Sequence, residues 1–88
     1  ENVLVNNYAS VGHHSFVGKS SVISPYATLI GQAYTGKMSF LGANSVIMAQ
    51  AKLGNHSRLS AGSILYKKTK NKCLVTGNPA VEITLKFK

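Results

Sequence analysis

From Val5 to Leu65 every sixth residue is Val, Ile or Leu, with Thr35 as the one exception and no insertion to break the count. The series runs Val5, Val11, Val17, Ile23, Leu29, Thr35, Leu41, Ile47, Leu53, Leu59 and Leu65. Two places before each aliphatic position, after Val3, stand Ala9, Ser15, Ser21, Ala27, Ala33, Ser39, Ser45, Ala51, Ser57 and Ser63. A helix repeats every 3.6 residues and a strand every two, so neither produces this spacing. A solenoid with straight six-residue sides and tight corners does. The aliphatic residue points inward and stacks on its equivalent one coil away, while the small residue fits where the wall turns. Gly12, Gly18, Gly36, Gly42 and Gly54 follow the aliphatic position directly, as expected of corners that demand positive φ angles and a crowded backbone. Pairing between coils at roughly 4.8 Å satisfies the backbone polar groups. With three sides to a coil, equivalent positions lie eighteen residues apart and about three and a half coils are expected.

Residues 1–65 therefore read as the solenoid and 66–88 as its ending, within one domain. Tyr66 to Cys73 is basic and aperiodic, and Gly77-Asn78-Pro79 signals a turn. Val81, Ile83, Leu85 and Phe87 then alternate with Glu82, Thr84, Lys86 and Lys88, the pattern of a half-buried strand. That strand is expected to cap the last coil or to pair with a neighbouring subunit, since an uncovered coil is a sheet edge that invites aggregation. A chain of 88 residues buries only about 60% of its unfolded surface, so further burial between molecules is expected.

The net charge is +8, from ten Lys and Arg against Glu1 and Glu82. Such an excess suits nucleic acid, an anionic membrane or a phosphorylated ligand. Six of the ten cations, Lys67, Lys68, Lys70, Lys72, Lys86 and Lys88, crowd at one end. Cys73 stands alone, which excludes a disulfide framework and a cysteine-rich metal site. A reducing, cytoplasmic setting is the default expectation. No apolar stretch reaches membrane-spanning length and nothing reads as a signal peptide. A chain opening at Glu1 without Met reads as a fragment or a processed product.

The hexads, the segment Val11-Gly12-His13-His14-Ser15-Phe16-Val17-Gly18 followed by Ile23-Ser24-Pro25, and the ending Thr76-Gly77-Asn78-Pro79-Ala80 resemble the hexapeptide-repeat acyltransferases. Within them the chain is most similar to the sugar O- and N-acetyltransferases that act on sialic acid or nucleotide-linked amino sugars. The resemblance implies an all-β fold, a left-handed parallel β-helix with a C-terminal capping strand. Handedness could not come from the spacing, because parallel crossovers are right-handed in most folds. It further implies a homotrimer with acetyl-CoA in clefts between subunits, a role in polysaccharide biosynthesis, no nucleic-acid partner, no metal, and an upstream domain that helps hold the sugar.

Counting by eighteen places His13 in a corner column with Gly31, Ala49 and Lys67. The small residues leave a groove beside the imidazole for a thin pantetheine arm. In the family the matching histidine is the general base, a task that suits a side chain titrating near neutrality. The same residue taken alone is equally an ordinary solvated corner histidine. Relatives follow this histidine with Asp or Glu, whereas His14 stands here. His14 is expected to be a bystander, with a backbone carbonyl orienting His13. Lys67 and Lys68 begin where the column ends and could meet the phosphates of CoA; a solvated basic tail is the other reading. Outward-facing Phe16 above Tyr34, and Val22 above Phe40, are expected at a subunit contact. Two further readings stand beside the enzyme: a structural scaffold, and a γ-type carbonic anhydrase, which needs three zinc-binding histidines at a spacing this chain lacks.

Overall fold

The computed structural model describes residues 3–84. Glu1, Leu85, Lys86, Phe87 and Lys88 lie outside the described residues, and with them the expected end of the capping strand. The first coil consists of β1 (Leu4–Val5), β2 (Ser10–Val11) and β3 (Phe16–Val17), the second of β4 (Val22–Ile23), β5 (Thr28–Leu29) and β6 (Tyr34–Thr35). The third comprises β7 (Phe40–Leu41), β8 (Val46–Ile47) and β9 (Lys52–Leu53); the fourth has β10 (Arg58–Leu59), β11 (Ile64–Leu65) and an isolated bridge at Lys68. β12 (Cys73–Gly77) opens a fifth, and β13 (Ala80–Thr84) folds back on it. The described residues form a left-handed parallel β-helix of about four turns, in keeping with the resemblance.

Among the described residues three sheets form its walls, ordered β1-β4-β7-β10-β12-β13, β11-β8-β5-β2 and β3-β6-β9, parallel throughout except for the β12–β13 pair. Register matches the sixfold count: Val11, Leu29, Ile47 and Leu65 stack on one wall, Ile23, Leu41 and Leu59 on another, and Val17, Thr35 and Leu53 on the third. Ile23, Leu29, Leu41, Ile47, Leu53, Leu59 and Leu65 are at most 1% exposed. Each such side chain contributes roughly 1.5–3 kcal/mol of burial. Val11 points the same way yet remains 42% exposed, because among the described residues no coil lies beyond the first.

The small residues have a second use beyond size. At the corner between the β3-β6-β9 wall and the β1-β4-β7 wall, the Ser21 hydroxyl donates to the Gly36 carbonyl and accepts from the Ser39 N–H. Ser39 repeats this with the Gly54 carbonyl and the Ser57 N–H, and Ser57 with the Lys70 carbonyl and the Cys73 N–H. A ladder of hydroxyls thus satisfies backbone groups at a turn that strand pairing cannot reach.

The glycines act differently from expectation. Gly12, Gly18, Gly36, Gly42 and Gly54 do not have positive φ; a Cβ on any of them would run into backbone or Asn55 of the next coil. The left-handed position falls two residues later, at Tyr8, His14, Ser20, Tyr26, Gln32, Met38, Asn44, Gln50, His56 and Gly62. Glycine is selected here by close approach, and the chain accepts strain at non-glycine residues one step from the turn's end.

The wall continues past the end of the hexads because one corner is short. Ile64 pairs with Val46, eighteen residues away, but Lys68 pairs with Lys52 and Leu74 with Arg58, each sixteen away. Two residues are missing between β11 and Lys68, which breaks the sequence period without breaking the stack. Val75 lands on Leu59 and is fully buried. β13 then pairs antiparallel with β12 across Asn78-Pro79, as the turn signal predicts, but its faces are reversed from the expected half-buried pattern. Val81 and Ile83 are 55% and 51% exposed, while Glu82 turns toward the end of the coil. The Lys70 N–H and the Cys73 thiol both donate to its carboxylate, at 3.2 and 3.3 Å. The Lys70 amide, then the thiol, and then the charges of Lys70 and Lys67 hold this carboxyl below the usual range against the opposing effect of burial. A hydrogen-bonded carboxylate, rather than an apolar strand face, closes this end.

Candidate functional site

His13 and His14 occupy the corner between β2 and β3. The turn closes with the Ser15 N–H donating to the Gly12 carbonyl at 3.2 Å. Ser15 ties it to the coil above: its hydroxyl donates to the Ile30 carbonyl at 2.9 Å and accepts from the Ala33 N–H at 3.2 Å. The His13 carbonyl accepts from the Gln32 N–H at 3.1 Å. Both backbone ends of the histidine pair are therefore fixed to the wall, while the side chains are exposed.

His14 takes the left-handed conformation, φ 57°, and this swings its ring beside that of its neighbour. The two Nδ1 atoms lie 2.8 Å apart, with the rings near perpendicular at 85° and their centroids 5.0 Å apart. The two rings are thus in direct contact, although the eighteen-residue count sets them in separate columns. Gly31 lies on the next coil, and a Cβ there would sit 3.1 Å from His13 Nε2. The space the glycine leaves is thus taken in part by the imidazole itself, and the exposed Ala49 follows one coil further along. In the adjoining column Gln50 Nε2 donates to Gln32 Oε1 at 3.1 Å, forming a polar rail beside it.

Lys67 does not complete this column. The short corner brings its carbonyl to the Lys52 N–H at 3.3 Å, level with Ala51 rather than Ala49. Lys68 pairs with Lys52 on the β3-β6-β9 wall, the face that flanks the histidine corner. On that face Phe16 and Tyr34 stack at 4.9 Å and Lys52 Nζ sits 4.5 Å over the Tyr34 ring. Two lysines thus follow two stacked aromatics along one face.

Several features went unseen in the sequence. Tyr8 and Tyr26 stack at 5.0 Å, a pair that counting by eighteen would have found. Arg58 lies 5.3 Å over Phe40. A groove of about 580 Å³ at the corner between the β3-β6-β9 and β1-β4-β7-β10 walls is lined in part by Met38, Phe40, His56, Arg58 and Lys72. His56 and Lys72 are sixteen residues apart, so no eighteen-residue count brings them together. A second concavity of about 460 Å³ lies along Phe16, Tyr34 and Lys37. Neither includes His13, which stands on a convex corner. Among the described residues no three His, Cys, Asp or Glu side chains gather as a metal site, and no helix is long and apolar enough to cross a membrane.

No family model matches the chain, and neither does any curated protein. Solved structures do. A His-to-Asn mutant of perosamine N-acetyltransferase from Caulobacter crescentus, in complex with CoA and GDP-perosamine, superposes with a TM-score of 0.70 at 17% identity, over 93% of this chain and 53% of that one. A hexapeptide-repeat acetyltransferase from Vibrio cholerae gives 0.75 at 16%, over 93% and 69%. Serine acetyltransferase in complex with CoA gives 0.88 at 18%, over 94% and 38%. The chain thus spans about half the length of the perosamine enzyme. The fold of this chain is the left-handed β-helix of the hexapeptide-repeat acetyltransferases.

Proposed function

We propose that the chain is the β-helical part of an enzyme that transfers an acetyl group from acetyl-CoA to a hydroxyl or amino group of a sugar or nucleotide-linked sugar. The observation that carries this reading is His13, whose Nε2 faces the opening made by Gly31 on a wall that matches β-helices solved with CoA. His13 is the general base. The acceptor's proton passes to Nε2 as its oxygen or nitrogen bonds to the acetyl carbon; the carbon–sulfur bond breaks, and the proton leaves with the thiolate. Gly31 and Ala49 keep the column clear for the pantetheine arm. Lys67 and Lys68, beside Lys52, supply charge for the phosphates at its far end. The enzyme works in the cytoplasm, in the reducing setting that suits a chain with one cysteine.

A convex corner cannot surround two substrates, and catalysis by positioning requires that they be surrounded. A second copy would close the cleft. The half-exposed Phe16 and its partner Tyr34, with Val22 and Phe40 on the adjoining wall, form the contact of a homotrimer in this reading. Light scattering at micromolar concentration is expected to report a trimer; a stable monomer would remove this contact. The sugar is held in part by a further domain, matching the extra length of the perosamine enzyme.

The cosubstrate channel is tested by calorimetry. Acetyl-CoA is expected to bind the parent, and Ala49→Phe to weaken that binding about tenfold or more while leaving the trimer intact, because a buried-ring volume would occupy the path. Equal affinity in the variant places the cosubstrate elsewhere. No binding by the parent leaves the scaffold reading in its place.

A further inference from the structure

A base needs its lone pair on the atom that meets the acceptor. For His13 that atom is Nε2, which faces the Gly31 opening, so the ring proton must reside on Nδ1. A neutral imidazole has one donor and one acceptor nitrogen, and which is which follows from the partner it finds. The usual partner would be a carboxylate. This chain has no Asp, and its two Glu are Glu1 and Glu82, the latter bound to the Lys70 amide and the Cys73 thiol at the far end of the solenoid. What stands beside His13 Nδ1 is His14 Nδ1, at 2.8 Å.

We propose that His14 is the positioning residue of the catalytic base: its Nδ1 accepts the Nδ1 proton of His13 and thereby holds the His13 lone pair on Nε2. This rests on the reading of His13 as the base. Two nitrogens at this distance form a hydrogen bond only when one of the two carries a proton. With the proton on His13, both the bond and a free Nε2 are obtained together. With the proton on His14, Nε2 of His13 is the protonated atom and cannot take one from the acceptor. When Nε2 has accepted that proton, the ring is a cation and its Nδ1–H bond to His14 becomes charge-assisted, hence stronger. The Nδ1 proton stays on His13 throughout; only the acceptor's proton moves, from acceptor to Nε2 and on to the departing thiolate. The left-handed backbone at residue 14 is part of the device. At an ordinary β conformation adjacent side chains diverge to opposite faces, whereas φ 57° brings these two rings together.

The test separates the acceptor from the backbone. Glycine suits φ 57° without a side chain, and asparagine tolerates it while offering an amide oxygen. His14→Gly is expected to lower kcat about tenfold or more with KM little changed, a part of the roughly hundredfold that losing acid–base catalysis costs. His14→Asn is expected to recover most of that loss. Nitrogen NMR of the parent should show His13 protonated on Nδ1 and bare on Nε2, and His14→Gly should move it toward the Nε2–H form. Full activity in His14→Gly, or an Nε2–H tautomer of His13 in a parent whose turnover depends on His13, overturns the positioning role alone. A parent with the expected tautomer whose turnover survives His13→Ala overturns the base assignment and the positioning role with it.

Discussion

His13→Ala is expected to lower acetyl transfer by roughly a hundredfold or more, the range that follows loss of a general base, with little change in acetyl-CoA affinity. The ring is exposed and sits on a turn whose backbone is held by Ser15, Gly12 and Gln32, so its removal leaves the wall in place. The variant should melt with the parent. The split between turnover and binding is informative, since a histidine that only contacted the cosubstrate would raise KM or Kd instead. His14→Ala should cost much less than His13→Ala, because the base remains and only its orientation is lost. Near-normal rates in His13→Ala, on an acceptor the parent demonstrably acetylates, would remove the assignment.

Gly18→Ala is expected to destabilise the fold by about 3 kcal/mol or more, at the upper end of what an overfilled site costs. A methyl there would overlap the backbone of Gly36 and Lys37 on the next coil, approaching Lys37 Cα to 2.6 Å. Backbone cannot rotate aside as a side chain can. In a domain this small such a loss takes most of the roughly 5 kcal/mol that holds it folded, so thermal melting followed by circular dichroism should show a drop of about 15 °C or no cooperative transition. Gly62→Asn is the contrast. Gly62 has φ +74° and nothing within 4 Å of a built Cβ, so asparagine should leave the melt nearly unchanged. Gly18→Ala behaving like Gly62→Asn would mean that the coils can separate locally to admit a methyl.

The two glycines show how legibility divides. Both follow from the hexad count as corner residues, yet the count assigns positive φ to the wrong corner position. The aliphatic register was readable because an inward side chain has one environment, a stack of its equivalents, which aliphatic side chains fill at every position but Thr35. The corner was less readable because hydroxyl ladders, close approach and left-handed backbone all select small or polar residues there. His14 and Met38 carry positive φ although nothing in their type announces it. The reversed faces of β13 were hidden for a similar reason. Alternation says that Val81 and Ile83 share a face, but not which face; Glu82 decides that through its bonds to Lys70 and Cys73.

For the candidate site, counting by eighteen put His13 in one column with Gly31 and Ala49, and the structure keeps that register because Val11, Leu29 and Ile47 pair with no corner between them altered. The same count failed for Lys67, since the corner after β11 is two residues short. A deletion confined to a turn leaves strand pairing intact and shifts every later residue against its expected neighbours. Lys72 meets His56, sixteen residues away, for that reason.

The sequence by itself determined the repeat, the three inward stacks and the placing of one histidine over a glycine, because each follows from a period that only one kind of wall can satisfy. The tertiary structure alone decided what the corners do. It set the short turn that carries the wall past its last hexad, and the contact between His13 and His14. Those depend on the length of one turn and on the left-handed φ that recurs at each corner, and neither leaves a trace in the spacing of buried aliphatic side chains.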